Sequence, residues 1–175
     1  MNTKSLVALS LLVGMGAVLH AIIPPFFLGM KPDMMLTMMF LGIVLFPEKK
    51  SVFLLAILTG IISGLTTTFP GGMIPNIIDK PVTALIFFGL FLALAKYRDS
   101  LVSVAVLTAV GTIVSGIAFL TSAYYLVSLP GPFVGLFAAV VLPAAAFNTV
   151  AMVVLYPVAL TVVKRTTISK QSLHH

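Results

Sequence analysis

The sequence contains no cysteine and no tryptophan, and only 8% of its 175 residues are charged. The absence of cysteine excludes disulfides, thiolate metal sites and cysteine nucleophiles. Soluble domains carry about 25% charged residues, so this chain has too little polar surface to cover a water-soluble particle. Its residues are 60% hydrophobic and its mean hydropathy is +1.20, so we expect lipid to surround most of the exterior.

Several chemical motifs are also missing from the sequence. There is no G-x-x-x-x-G-K-[ST] pattern for ATP phosphates and no H-E-x-x-H zinc pattern. No Ser/His pairing suited to nucleophilic catalysis occurs in the apolar part of the chain. The basic residues do not cluster with aromatic residues, which argues against nucleic acid as a partner. We therefore expect neither an enzyme nor a protein that carries a cofactor or metal.

Apolar runs separated by short polar or Pro/Gly-rich breaks divide the chain into six segments. Spanning a bilayer takes roughly 20 helical residues, and four segments meet or approach that length. The second is short and needs tilt or shielding by neighbours, whereas the sixth is long and contains Pro143 and Pro157, which predicts a kink. We interpret the first as a retained helix, because no signal-peptidase-like site follows it. The segments cover approximately residues 5–23, 33–46, 51–69, 79–95, 100–127 and 133–163.

The distribution of Lys and Arg predicts that both termini are cytoplasmic. In a six-span arrangement only Lys31 and Lys80 fall on the outer side. A five-span arrangement would lose this asymmetry. The predicted fold is an all-α membrane protein with six transmembrane helices, one domain over residues 1–170, and a disordered tail or tag remnant at residues 171–175. The basic residues predicted on the inner side are Lys4, Lys49, Lys50, Lys96, Arg98, Lys164, Arg165 and Lys170.

Two charged motifs fall on the predicted outer side, Lys31-Pro32-Asp33 and Asp79-Lys80-Pro81. Each Asp is predicted at the outer start of a helix, where a carboxylate caps free backbone N–H groups and Pro fits the first turn. The alternative is a site for a zwitterion, in which a carboxylate binds a ligand ammonium and a Lys or helix N-terminus binds a ligand carboxylate. Both interpretations stay open because they are compatible.

Other candidates are polar or adaptable side chains in apolar surroundings. Asn76 lies in the predicted loop 69–76, where it is available for a ligand. Asn148 lies in the middle of the sixth segment, where a buried amide suits either an interhelical hydrogen bond or a ligand. Tyr124 fits an interfacial aromatic belt or a stacking contact. Met34 and Met38 belong to a methionine-rich patch that suits packing or contact with an aromatic ligand.

Small residues and a lone histidine are interpreted structurally. Gly60-x-x-x-Gly64 and Gly111-x-x-x-Ser115 are patterns that suit close helix contacts, within the bundle or with another membrane subunit. His20, near the outer end of the first segment, is interpreted as a hydrogen-bonded structural residue.

Three strings resemble the tryptophan transporter subfamily of the vitamin-uptake transporters: His20-Ala-Ile-Ile-Pro-Pro-Phe, Gly29-Met-Lys-Pro-Asp-Met-Met and Pro75-Asn-Ile-Ile-Asp-Lys-Pro81. The resemblance covers essentially the whole chain, and that group is similar to the substrate-binding S components of energy-coupling-factor transporters. It implies a ligand site on the outer side, beneath loops at residues 26–32, 70–78 and 127–132. It also implies a membrane subunit and two cytoplasmic ATPases that supply energy. S components typically contact the membrane subunit through Ala-x-x-x-Ala in helix one. In this chain, Ala17-x-x-x-Ala21 lies near the outer end of that helix.

The resulting hypothesis is a membrane transport subunit that binds a small amino acid, with tryptophan as its expected ligand, and resides in the lipid of the cell membrane. Asp79 is expected to bind the ligand ammonium, and Lys31, Lys80 or helix N-termini its carboxylate. Alternatives are a stand-alone proton- or sodium-coupled amino-acid or vitamin carrier and a non-transport membrane assembly subunit. The predicted substrate-binding residues are Lys31, Asp33, Met34, Met38, Phe69, Asn76, Asp79, Lys80, Tyr124 and Asn148.

Overall fold

A computed structural model describes residues 3–25, 31–94, 97 and 100–165. All regular structure in these ranges is helical, as predicted. The tail predicted at residues 171–175, the basic residues Lys96, Arg98 and Lys170, and most of the loop 26–32 lie outside the described residues. The helices are α1 (Thr3–Ile22), α2 (Met34–Leu45), α3 (Lys49–Leu65), α4 (Met73–Ala93), α5 (Leu101–Leu126) and α6 (Phe133–Arg165).

Four of these helices, α1, α4, α5 and α6, are long and apolar enough to cross a membrane. Their outward faces carry large apolar side chains such as Leu11, Val102 and Val154, each at least 60% exposed. Such surfaces are stable in hydrocarbon and not in water. The chain is therefore a multi-pass membrane protein.

Helix α2 forms the centre of the bundle. Every residue of α2 except Leu45 is buried, and α2 contacts each of the other five helices. A helix that is apolar on all sides is expected in a core, and its 12 residues span only about 18 Å. The structure thus shows shielding by neighbours as the way in which this short segment is accommodated. Phe40 of α2 stacks on Phe87 of α4 with ring centroids 4.1 Å apart.

Helix α4 begins at Met73, six residues before the predicted start at Asp79. Pro75 lies in the first turn of the helix, where a backbone N–H would have no intrahelical partner. The loop predicted at residues 69–76 therefore ends at Gly72. Asn76, Asp79 and Lys80 therefore lie inside α4 and are buried. The predictions that Asp79 caps a helix and that Asn76 lies in a loop are wrong, and Lys80 lies in the third turn of α4 rather than in its first.

Helix α6 contains a π-helical segment at Phe137–Val141, directly before Leu142 and Pro143. Pro143 cannot donate a hydrogen bond to the preceding turn, and its ring crowds that turn. A local widening of the helix accommodates both effects. The widened turn also contacts α5, since a Cβ atom on Gly116 would lie 2.4 Å from a methyl group of Val141.

The Gly60-x-x-x-Gly64 pattern brings α3 against the first half of α4, as predicted. A Cβ atom on Gly64 would lie 3.0 Å from the backbone oxygen of Met73, and one on Gly60 would lie 3.5 Å from Lys80 Cβ. Close approach of the two helices therefore depends on these glycines. It also holds the buried part of α4 in place.

Candidate functional site

A cavity lies between α1, α2, α4, α5, α6 and the loop that joins α3 to α4. Its walls differ in chemistry. The charged and imidazole side chains that line it come from α1, α4 and the segment before α2, and they are His20, Lys31, Asp33, Asp79 and Lys80. The large apolar side chains come mainly from α5, α6 and the loop after α3, and they are Phe69, Phe119, Leu120, Val140 and Val141.

Lys80 bridges two carboxylates inside the bundle. Its Nζ lies 2.6 Å from Asp33 Oδ2 and 2.6 Å from Asp79 Oδ2, and the residue is 1% exposed. A buried charge is tolerated only when it is paired and hydrogen-bonded. An ammonium carries three hydrogens, so one remains after these two contacts. The three side chains, called here the Asp33–Lys80–Asp79 triad, together carry one net negative charge when all are ionised.

Asp79 accepts the most side-chain hydrogen bonds of the two carboxylates in the triad. Besides Lys80, it accepts hydrogen bonds from Thr83 Oγ1 at 2.7 Å and from Ser115 Oγ at 2.8 Å. Its side chain is fully buried. Because Ser115 belongs to α5, Asp79 links α4 to α5 and has little capacity left for a ligand.

Asp33 is more accessible, with 19% of its side chain exposed. Its Oδ1 accepts a hydrogen bond from the backbone N–H of Leu36 at 3.0 Å, so Asp33 caps α2 as predicted. His20 Nδ1 lies 3.3 Å from the same oxygen, although the geometry does not make a hydrogen bond. Capping and charge pairing therefore coexist at this carboxylate.

Lys31 lies at the edge of the charged wall. Its Nζ donates a hydrogen bond to the backbone oxygen of His20 and thereby joins the segment before α2 to the end of α1. Burial lowers the pKa of Lys31, and the nearby Asp33 carboxylate acts in the opposite direction. Lys31 is half-buried, so it is more accessible to a ligand than Lys80.

Two amide side chains also line the cavity. Asn76 Nδ2 donates to the backbone oxygen of Gly72 at 2.8 Å. Asn148 Nδ2 donates to Thr112 Oγ1 at 3.4 Å. In the part of the chain that the structure describes, Asn148 Oδ1 is buried without a hydrogen-bond partner.

Aromatic rings and a tight turn form the apolar end of the cavity. Phe69 and Phe119 pack edge to face with centroids 5.4 Å apart. Phe69 also belongs to a small apolar cluster with Leu120 and Val141. The turn after Phe69 needs glycine, because Gly71 has φ of 72° and a Cβ atom there would lie 2.3 Å from a methyl group of Val127.

Comparison with known proteins identifies the family. The family model described as tryptophan transporter TrpP matches residues 2–164. The chain belongs to the tryptophan transporter TrpP family. A relative from Bacillus subtilis (strain 168), called a probable tryptophan transport protein, is 59% identical over 165 residues, which cover 94% of this chain and 95% of the relative.

Other TrpP-like relatives, also called probable tryptophan transport proteins, come from two clostridia. The protein from Clostridium acetobutylicum is 40% identical over 159 residues, covering 89% of this chain and 91% of the relative. The protein from Clostridium perfringens (strain 13 / Type A) is 42% identical over 165 residues, covering 89% and 90%. No solved structure matches this chain significantly. The resemblance to the tryptophan transporter family is thus confirmed.

Seven of the ten residues predicted to bind substrate in this TrpP-family chain line the cavity. Three do not. Met34 and Met38 are buried in the core around α2. Tyr124 is 61% exposed and packs edge to face against Tyr125. The seven that the structure brings together are Lys31, Asp33, Phe69, Asn76, Asp79, Lys80 and Asn148.

Sequence reasoning missed part of the α5 wall. Thr112 and Ser115 line the cavity and hydrogen-bond to other lining side chains. The available signal was three hydroxyl residues at helical spacing, Thr108, Thr112 and Ser115, on one face of an otherwise apolar segment. The Gly111-x-x-x-Ser115 pattern by itself indicates only close packing of helices. His20, interpreted as structural, also lines the cavity.

Proposed function

We propose that this TrpP-family chain binds tryptophan in the cavity and acts in its uptake across the cell membrane. The observation that carries the proposal is a cavity with the Asp33–Lys80–Asp79 triad on one wall and Phe69 and Phe119 on another. Apolar walls provide affinity, and a few placed polar groups fix orientation. A zwitterionic amino acid with an aromatic side chain matches both walls.

Asp33 is the better candidate for the ligand ammonium. Asp79, the residue first expected in this role, is fully buried and already accepts hydrogen bonds from three side chains. Asp33 lines the same cavity and keeps part of its side chain exposed. The ligand carboxylate would then bind Lys31 and the remaining hydrogen of Lys80. Asp79 has a positioning role, since it holds Lys80 in place.

The proposed arrangement is six transmembrane helices with both termini cytoplasmic. Support comes from Lys49, Lys50, Lys164 and Arg165, which are exposed at helix ends and would lie on the cytoplasmic side under the positive-inside rule. Lys80 is buried in the triad, so the outer side keeps fewer free basic residues than the sequence suggested. In this orientation the charged wall faces the outside, as uptake requires.

The binding step is tested with the ligand's own fluorescence. Because the chain contains no tryptophan, emission from added tryptophan is seen against a tyrosine background. We expect a saturable change with one ligand per chain in purified protein. A strictly linear response over the solubility range of the ligand would contradict the proposal.

We further propose that the chain is a substrate-binding subunit energised by a membrane subunit and cytoplasmic ATPases, with lipid around the bundle. The resemblance to energy-coupling-factor S components supports this, together with the absence of a P-loop pattern in the chain itself. Affinity purification from native membranes should yield attached ATPase subunits. Isolation of the chain free of ATPases, from membranes that take up tryptophan, would argue against it.

A second candidate is a stand-alone ion-coupled carrier. It is favoured by one observation: two carboxylates share a single ammonium, so one negative charge of the site is left for a coupling cation. Liposomes containing only this chain distinguish the candidates. Tryptophan uptake driven by a proton or sodium gradient alone would favour the carrier, whereas a requirement for ATPases would favour the subunit.

A further inference from the structure

The side-chain carbonyl of Asn148 is a buried hydrogen-bond acceptor without a partner among the described residues. Asn148 is 0% exposed, and it lines the cavity from α6. Leaving a buried polar group unpaired costs free energy, and native proteins contain few such groups. An acceptor left open on the wall of a ligand cavity is thus available to a hydrogen-bond donor of the ligand.

The hydrogen bonds of Thr112 determine which end of the Asn148 amide is open. Thr112 Oγ1 donates its hydrogen to the backbone oxygen of Thr108 at 2.8 Å. It can then only accept, and it does so from Asn148 Nδ2 at 3.4 Å. Turning the amide over would place two acceptors against each other. The oxygen of Asn148 is therefore the atom that remains without a partner.

The ligand donor that fits this acceptor follows from the other polar groups of the site. Tryptophan has two donor groups, its ammonium and its indole N–H. The ammonium is matched by the negatively charged triad, and a ligand carboxylate is repelled by a carbonyl oxygen. Resting on the proposed function, we infer that Asn148 Oδ1 accepts a hydrogen bond from the indole N–H and that Asn148 sets the preference for an indole side chain.

The positions along α5 agree with this assignment. Ser115 hydrogen-bonds to Asp79, and Thr112, on the adjacent turn of the same helix, hydrogen-bonds to Asn148. Three residues of α-helix span about 4.5 Å. Asp79 of the triad and the amide of Asn148 thus meet α5 about one turn apart, in the cavity that Asp33 also lines.

Such a site discriminates through the group that the wrong ligand lacks. An analogue without the ring N–H leaves the buried oxygen of Asn148 unpaired, and sites built to bond a substrate N–H reject such analogues strongly. Phenylalanine has the same ammonium and carboxylate but no ring donor. Asn148 would therefore separate tryptophan from phenylalanine where the triad does not.

The test compares tryptophan with 3-(benzothiophen-3-yl)alanine, in which sulfur replaces the ring N–H at similar size. Both ligands compete with radiolabelled tryptophan for the purified full-length protein. We expect the sulfur analogue to bind roughly tenfold more weakly than tryptophan in the wild type. In Asn148→Leu, the two affinities should become nearly equal.

Asn76→Leu is the matched control, because it removes the other buried amide of the cavity, whose Nδ2 is used by the Gly72 backbone oxygen. The tenfold ratio should persist in that variant. A ratio near one in the wild type, with tryptophan itself bound, overturns the inference and needs no substitution. A tenfold ratio that persists in Asn148→Leu overturns it as well. Failure of the wild type to bind tryptophan would instead refute the proposed function.

Discussion

The buried ammonium of Lys80 is the shared partner of two carboxylates, the fully buried Asp79 and the partly exposed Asp33. Asp33 belongs to the segment before α2 and Asp79 to α4, and Lys80 Nζ contacts both at 2.6 Å. A buried ion pair contributes little relative to an apolar replacement, but removing one partner leaves an uncompensated charge. A single substitution in the triad is therefore expected to affect both the stability of the fold and the binding of a charged ligand.

Lys80→Met is expected to lower the free energy of unfolding by about 3–5 kcal/mol. It leaves two carboxylates facing each other in a low-dielectric interior. Circular dichroism melts in detergent would show the loss as a lower midpoint. The double variant Asp79→Asn with Lys80→Met should recover part of the midpoint, because only one carboxylate then lacks its partner. No difference between the single and double variants would contradict the triad.

Asp33→Asn separates the two roles of this side chain. Asn caps a helix about as well as Asp, so the hydrogen bond to the Leu36 N–H is retained while the negative charge is lost. We expect tryptophan affinity to fall about tenfold or more, since charge-assisted hydrogen bonds contribute roughly 1.5–3 kcal/mol. Fluorescence titration measures the change.

Glu48→Gln is the matched control for Asp33→Asn. Glu48 precedes α3, at the end of the bundle opposite to Asp33, and does not line the cavity. Its substitution should leave the affinity for tryptophan unchanged. Equal affinity in Asp33→Asn and wild type would remove Asp33 from the proposed ammonium site.

At the scale of helices, sequence reasoning found every element but misplaced one boundary that matters. It located the apolar runs because hydrocarbon imposes long uniform segments. It treated Pro75 as part of a loop, whereas Pro is also favoured in the first turn of a helix. Helix α4 therefore starts almost two turns earlier than predicted, and Asn76 and Lys80 lie in the interior rather than at the surface.

The contact between α2, α4 and α5 depends on Gly111. A Cβ atom there would lie 2.7 Å from Phe40 Cζ and 2.8 Å from Phe87 Cδ2, and these two rings are stacked and fully buried. Overpacking of this kind typically costs about 1–3 kcal/mol. Gly111→Ala should therefore lower the thermal midpoint measured by circular dichroism.

Gly89→Ala is the matched control within α4, because a Cβ atom at Gly89 has no neighbour within 4 Å. Replacing a helical Gly with Ala stabilises by about 0.5–1 kcal/mol when space allows. The midpoint should thus rise for Gly89→Ala and fall for Gly111→Ala. A rise in both variants would show that Phe40 and Phe87 give way easily.

At the scale of the whole molecule, the membrane explains why the few charged residues of the chain were enough to predict where the candidate site lies. Hydrocarbon excludes ionised groups unless they are paired. Asp33, Asp79 and Lys80 are therefore expected to lie close together, and they form ion pairs in the structure. The sequence does not predict which of the two carboxylates has most of its hydrogen-bonding capacity used within the protein. That depends on Thr83 and Ser115, whose hydrogen bonds to Asp79 arise from the packing of α4 on α5. Met34 and Met38 do not line the cavity, because α2 is buried on all sides and leaves them in the core.

The proposed orientation can be tested directly, because the chain contains no cysteine to remove. Pro130 lies in the exposed connection between α5 and α6, and Lys50 is exposed at the start of α3. In intact cells, a membrane-impermeant maleimide should label Pro130→Cys and spare Lys50→Cys. Both should react after the membrane is permeabilised. The opposite pattern in intact cells would reverse the bundle and the direction in which the cavity opens.

We propose above that the paired charges of the cavity recognise the ammonium and carboxylate of an amino acid. The most direct measurement is competition against tryptophan by tryptamine, which lacks the carboxylate, and by indole-3-propionate, which lacks the ammonium. We predict that each binds the wild-type protein at least about tenfold more weakly than tryptophan. Equal binding of all three would show that the indole alone is recognised and that the Asp33–Lys80–Asp79 triad serves only the fold.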